Sequence, residues 1–312
     1  MKKGTAVVIL YLLTFCTVNA TDYYVDATIG SNTPSSGSNL TDPWQTITYA
    51  LSQVTGSGHI IHVAAGYYDT SLGESFPIYV KNGVSLEGAG ADVTVIDAGY
   101  VEGTSVIYCI GITDASTYVE GFFITGGYYY DTYTVGAGIY ISAGSTLTIK
   151  NNTIYDNYLG TWGTGGGIYM INSSPKILDN LIAFNGSDSW GDGNAIAIIN
   201  SSPLVQGNDI TYNLCDESYS CIYVEGSTST PRFVNNVIAV NSGAGIYFSG
   251  GVPTIINNTI SNNGGCGIYL SSTCAPDSVI NNIISYNSEY GIQEGHSGYD
   301  PAIVSYNMFF AN

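Results

Sequence analysis

From residue 137 onward, apolar residues alternate with polar ones in runs too short for helices, and each run closes on the same polar punctuation. Asn-x-apolar-x-x-Asn occurs seven times: Asn152/Asn157, Asn180/Asn185, Asn208/Asn213, Asn236/Asn241, Asn258/Asn263, Asn282/Asn287 and Asn307/Asn312. The enclosed apolar residues are Ile154, Ile182, Ile210, Ile238, Ile260, Ile284 and Phe309. Upstream of each lies a second apolar centre, at Ile139, Ile168, Ile196, Ile222, Ile246, Ile268 and Ile292, in steps of 29, 28, 26, 24, 22 and 24 residues. A third column, Pro175, Pro203, Pro231, Pro253, Pro276 and Pro301, precedes the first Asn by five or six residues. Each repeat therefore predicts strand, Pro-led strand, Asn corner, strand. Three such strands cannot bury their apolar side alone, but stacked coils bury it continuously. The predicted fold is all-β, a right-handed parallel β-helix with three short strands per coil. Asn tolerates the left-handed backbone of a tight corner, and its amide can bond to the Asn of the next coil, so the Asn columns are expected to be structural ladders.

Ahead of these coils the pattern changes. Asp42-Pro43-Trp44-Gln45 predicts a helix start, with Asp42 as N-cap, Pro43 at the first helical position and Gln45 closing a capping box. Ile47, Ala50, Leu51 and Val54 follow on one helical face, which suits a cap over the open first coil. Strands are expected at 60–63, 78–80, 84–86, 93–96, 105–109 and 119–125, with a loop at 30–41. The organisation is a leader at 1–20, an N-terminal strand and capping helix at 21–58, and a β-helix at 59–312, irregular to about 136 and regular from 137. The seventh repeat has no closing segment after it. The expectation is that the natural chain continues, or that the uncapped C-terminal coil gives head-to-tail self-association.

Composition agrees with a strand-and-turn protein: 45% of residues are hydrophobic and 10% charged, with 39 Gly and 27 Tyr. Met1-Lys2-Lys3, the apolar run 4–15 and the small-residue site Val18-Asn19-Ala20 form a secretory signal, too short to span a bilayer comfortably, and place the protein outside the cell or on its surface. Without the leader only Lys81, Lys150, Lys176 and Arg232 stand against 24 acidic residues, which takes the net charge from −18 to −20. Nucleic acid is excluded as a partner, since neutralising phosphates needs Lys and Arg. Five Cys remain; Cys215 and Cys221 could close one loop, and the odd count leaves a thiol unpaired.

In the first strand of each coil the residue between the inward apolar pair points outward. At that position stand Tyr140, Tyr169, Tyr223, Tyr247 and Tyr269, interrupted by Ala197 and ended by Gln293; Tyr79 and Tyr108 extend the stripe upward. The stripe is either an aromatic ladder stacked on itself or a platform for sugar rings. Loop length adds a hint. Nine, nine and seven residues follow Asn157, Asn185 and Asn213 before the next strand, but only three follow Asn241, Asn263 and Asn287. The long loops carry Trp162 and Trp190, candidate ligand residues beside the stripe, and Asp188, Asp192, Asp216 and Glu217, candidate calcium ligands or an acid/base pair.

Tyr24-Val25-Asp26, Asp42-Pro43-Trp44-Gln45-Thr46-Ile47, Ile61-His62-Val63-Ala64-Ala65-Gly66-Tyr67-Tyr68 and Leu86-Glu87-Gly88-Ala89-Gly90 resemble the opening of many secreted right-handed parallel β-helix proteins. That opening is usually classed as a domain of unknown function. The Asn-rich coils after it resemble the pectate-lyase-like repeat, a superfamily of lyases, polygalacturonases, epimerases, tailspikes and adhesins. The resemblance implies the fold and an extracellular polysaccharide or surface-glycan partner, but selects no reaction. Polygalacturonases resemble one another in Asn-Thr-Asp, an Asp-Asp pair, Gly-His-Gly and Arg-Ile-Lys, and the epimerases in Asp-Pro-His-Asp; none of these occurs here. Lys176 and Arg232, the candidates for a lyase base, are expected on another strand. The reading is a carbohydrate-binding protein with no identified catalytic residue. The alternatives are a lyase or glycosidase with calcium-assisted loop carboxylates, and a purely structural surface or filament protein.

Overall fold

The computed structural model describes residues 20–130, 136–161, 163–187, 191–215, 219–271, 274–295 and 301–312. The leader, apart from Ala20, lies outside the described residues. Among the described residues, three long parallel sheets of 11, 9 and 10 strands run the length of the chain, each strand paired with its equivalent one coil away. Apolar centres meet in register: Ile139 pairs with Ile168, Ile168 with Ile196, and so on to Ile268 with Ile292. The Asn-enclosed column pairs likewise from Ile154 to Phe309. Both columns are buried from Ile139 and Ile154 to Ile268 and Ile284. Each such side chain contributes about 1.5–3 kcal/mol relative to exposure. On the final rung Val304, Met308, Phe309 and Phe310 are exposed.

The corners between sheets are held by side chains that copy the ladder bonding of strands. The amide oxygen of Asn208 accepts from both the backbone N–H and the side-chain NH₂ of Asn180, each at 3.0 Å. Its own NH₂ donates to the Ile177 carbonyl and to Asn236. Asn213 repeats this at the second corner, between Asn185 and Asn241. The left-handed residue is the one before each ladder Asn, rather than the ladder Asn itself. It is Asn151, Asp179, Gly207, Asn235, Asn257, Asn281 and Tyr306 at the first corner, and Asp156, Phe184, Tyr212, Val240, Asn262, Tyr286 and Ala311 at the second. A Ser ladder holds the third corner, where Ser145, Ser173 and Ser201 each donate their N–H to the hydroxyl of Ser173, Ser201 and Ser229. The sequence pattern did not reveal it.

The N-terminal helix spans Ile47–Gln53, with Thr46 rather than Asp42 as its N-cap. Asp42 instead accepts from the Ser36 hydroxyl. The first turn is completed from afar: buried Glu74 accepts from Ile47 N at 2.5 Å and from Thr48 N at 2.9 Å. The expected strand 119–125 is two strands, Tyr118–Glu120 and Phe123–Thr125, turned at Gly121 with φ 79°. A Cβ at Gly121 would meet the Gly88 carbonyl at 2.6 Å, so the corner requires Gly.

Candidate functional site

Period-two alternation brings the tyrosines to one face in the predicted register. Tyr79 pairs with Tyr108, Tyr108 with Tyr140, Tyr140 with Tyr169, Tyr169 with Ala197, Ala197 with Tyr223, Tyr223 with Tyr247, Tyr247 with Tyr269 and Tyr269 with Gln293. The rings stack on one another. Tyr140 and Tyr169 lie 5.7 Å apart at 6°, and Tyr247 and Tyr269 4.9 Å apart at 8°. Ring faces inside each stack are therefore occupied by neighbours, and the column presents its edges and hydroxyls. Tyr79, at 86° to Tyr108, is turned and exposed. Tyr169 is only 3% exposed and offers a ligand no free face.

The long loops beside this face build a fourth, three-stranded parallel sheet from Tyr128–Tyr129, Tyr158–Leu159 and Gly186–Ser187, extended by a bridge from Gly186 to Leu214. Tyr129, Ala137 and Leu159 form its own small core. The sequence signal for this shelf is the recurrence of apolar pairs one coil apart, Tyr128-Tyr129 and Tyr158-Leu159, which is weak because the strands are only two residues long. The shelf touches the stripe, since the Tyr129 and Tyr108 hydroxyls lie 3.2 Å apart. The loop that follows it passes close over the stripe at Ala197. Gly193, with φ 65°, crosses the strand there, and a Cβ on it would stand 3.0 Å from both the Ala197 and Tyr223 Cβ atoms.

Asp192 fastens that loop to the next coil, accepting from Ser220 N at 3.1 Å and from the Ser220 hydroxyl at 3.0 Å. Burial raises its carboxyl above the usual range although the Ser220 bonds pull it down. The other expected calcium ligands, Asp188, Asp216 and Glu217, and the two loop tryptophans Trp162 and Trp190, lie outside the described residues. Among the described residues no three His, Cys, Asp or Glu side chains are grouped to hold a metal ion.

Several phenols of the face are held neutral. Burial raises Tyr108, Tyr169 and Tyr223 to about 12, with a further upward push on Tyr108 from the Tyr129 hydroxyl. The Tyr223 hydroxyl donates to Glu225 at 3.2 Å. At the lower end Gln293 takes the next place in the column and bonds the Cys266 thiol at 2.7 Å through its side-chain oxygen. All five described cysteines are buried free thiols, and Cys221 is pushed up by burial and by the neighbouring Cys215 thiol.

The basic residues stand elsewhere. Lys176 and Arg232 each pair with Leu204 on the Pro-led sheet, and Lys150 bonds Glu120 at 2.5 Å there. On the same sheet His62 lies between Asp22 at 3.4 Å and Glu87 at 3.6 Å, stacked on Tyr24.

A family profile described as "Protein of unknown function (DUF1565)" matches residues 28–249, and one described as "Right handed beta helix region" matches residues 194–312. No curated protein matches the chain. Among solved structures the pectate lyase Pel9A is similar at 15% identity and TM-score 0.47, over 95% of this chain and 78% of that one. Pectin methylesterase from carrot is similar at 11% identity and TM-score 0.41, over 95% and 89%. The Azotobacter vinelandii mannuronan C-5 epimerase AlgE4 A-module is similar at 16% identity and TM-score 0.37, over 81% and 87%. At these identities and scores the likeness concerns the fold alone.

Proposed function

Because the chain belongs to the family described as Protein of unknown function (DUF1565), whose name assigns no activity, we propose a function from the geometry: it is a secreted right-handed parallel β-helix that binds extracellular carbohydrate along its tyrosine-bearing sheet. The observation that carries this reading is the in-register tyrosine column beside the shelf, a row of protonated phenol hydroxyls and ring edges with a wall along one side. Sugars are recognised by hydrogen bonds to such hydroxyls and by apolar contact with ring edges. Stacking of sugars on ring faces, one expectation from the sequence, is confined on this column to the turned ring of Tyr79 and the ends of the stacks. The high acidity of the chain favours neutral over acidic glycans. No helix among the described residues is long and apolar enough to cross a membrane.

The test removes hydroxyls while keeping the stack. A glycan array of the mature protein identifies a ligand, and titration calorimetry of Tyr140→Phe, Tyr247→Phe and the double variant follows. Each missing hydrogen bond should weaken binding by about three- to tenfold. Unchanged affinity in the double variant would return the column to a structural role.

A further inference from the structure

A second aromatic column climbs the opposite side of the loop-bearing corner, and its interruption makes a cleft. Phe123, Tyr155, Phe184 and Tyr212 follow one another at 5.1–5.4 Å between ring centres, the last pair within 8° of parallel. On the next two coils the corner position is held by Val240 and Asn262, and on the third by Tyr286, whose ring meets Phe310 edge-on at 5.2 Å. Where the two rings are missing, a cleft of about 450 Å³ opens between Tyr212 and Tyr286. Val240 lies along it, and the exposed Asn262 and Ser288 supply an amide and a hydroxyl. Tyr212 and Tyr286 stand three coils apart, about 14 Å along the axis at the usual strand spacing.

The walls differ from the tyrosine sheet in the respect that matters for a ligand. One face of Tyr212 is stacked on Phe184 and the other looks into the gap; Tyr212 and Tyr286 are 50% and 54% exposed. Among the described residues none that lines the cleft is charged, although the chain as a whole is strongly acidic. The Tyr212 face at one end and the exposed Tyr286 ring at the other, hydroxyl and amide groups between, no charge among the described lining residues and a volume within the range of small-molecule sites describe the complement of a neutral sugar. We propose that this cleft binds a neutral oligosaccharide end-on between Tyr212 and Tyr286, with one sugar ring packed against the Tyr212 face. The site lies on a different surface from the tyrosine sheet and does not depend on the reading of that sheet.

The experiment uses the mature full chain and four neutral trisaccharides, cellotriose, laminaritriose, maltotriose and xylotriose, followed by saturation-transfer NMR and calorimetry. The variants are Tyr212→Asn, Tyr286→Asn and the pair together, because Asn suits the left-handed backbone of both positions and removes only the ring. Their thermal unfolding should match or exceed that of the wild type, which separates loss of binding from loss of fold. At least one trisaccharide should bind the wild type, with affinity falling tenfold or more in each single variant. The proposal is overturned if none of the four binds, or if the double variant binds as the wild type does. Loss in Tyr247→Phe with the cleft variants unaffected would also overturn it, while leaving the tyrosine-sheet reading standing.

Discussion

Each coil turns twice over an Asn ladder, and the two corners make the same demand on the backbone. The residue before the ladder Asn has φ between 51° and 70° at the first corner and between 50° and 57° at the second. The first corner meets this demand with residues that suit it, Asn151, Asp179, Gly207, Asn235, Asn257 and Asn281, departing only at Tyr306. The second places Phe184, Tyr212, Val240 and Tyr286 in a conformation that costs such residues about 1–3 kcal/mol each. Since the ladder, the register and the turn are shared, the fold does not account for the difference. What the second corner gains is rings held out from the surface, beside the cleft.

The largest effect should come from what the corners share. Asn208→Ala and Asn213→Ala each orphan buried donors on the preceding Asn and a carbonyl acceptor, and each should cost about 3 kcal/mol in urea unfolding. A much smaller loss at Asn213 would break the comparison, because the second corner would then not be held by the same bonds. Exchanging the left-handed residues sharpens it. Val240→Asn should stabilise by about 1 kcal/mol, and Asn235→Val should destabilise by about 1–2 kcal/mol. Equal and small effects in both would mean that the backbone tolerates either residue and that the second corner carries no strain.

The smallest effects are of opposite sign with pH. For Glu120, beside the first corner, burial pulls upward, but the Lys150 and Asn151 hydrogen bonds and the Lys150 charge outweigh it and hold the carboxyl below the usual range. Its contribution is present above the unfolded-state value and lost as pH falls through the lower folded value. Asp192, on the loop that follows the second corner, is raised by burial, so its contribution is present at low pH and lost as pH rises through the folded value. Glu120→Gln should therefore lose stability against the wild type at neutral pH and converge with it in acid. Asp192→Asn should gain on the wild type as pH rises through and above the carboxylate range. Unfolding series from about pH 3 to 7 measure both. Parallel rather than opposed trends would contradict the assignment.

The coils were legible because their signal is local and repeated. Alternation fixed which way Ile139 and Tyr140 face, and one coil's pattern was checked by the next. The N-terminal helix was legible, but its start lies at Thr46 rather than Asp42 because the partners that fix it are distant. Asn32 accepts from Gln45 N and Thr46 N, and Glu74 arrives from 27 residues away, so the Asp-Pro pair that looked like a helix start is an approach to one. The shelf escaped because a two-residue strand has no period. The passage of Gly193 over Ala197 and Tyr223 exists only in three dimensions. The second aromatic column was hidden by a change of position, from the strand residue Tyr155 to the corner residue Phe184.

Because every coil offers its neighbours the same Asn contacts above and below, the distance from Tyr212 to Tyr286 is counted in whole coils. Removing residues 236–257 would join Asn235 to Asn258, leave both ladders continuous and bring the two rings one strand spacing closer, about 4.8 Å. Adding a coil would do the reverse. A cleft built this way changes length in integer steps, by duplication or loss of a segment and without repacking a core. The solenoid thus acts as a ruler whose graduations are set by hydrogen bonds, and chain length of the ligand is the property such a ruler can select.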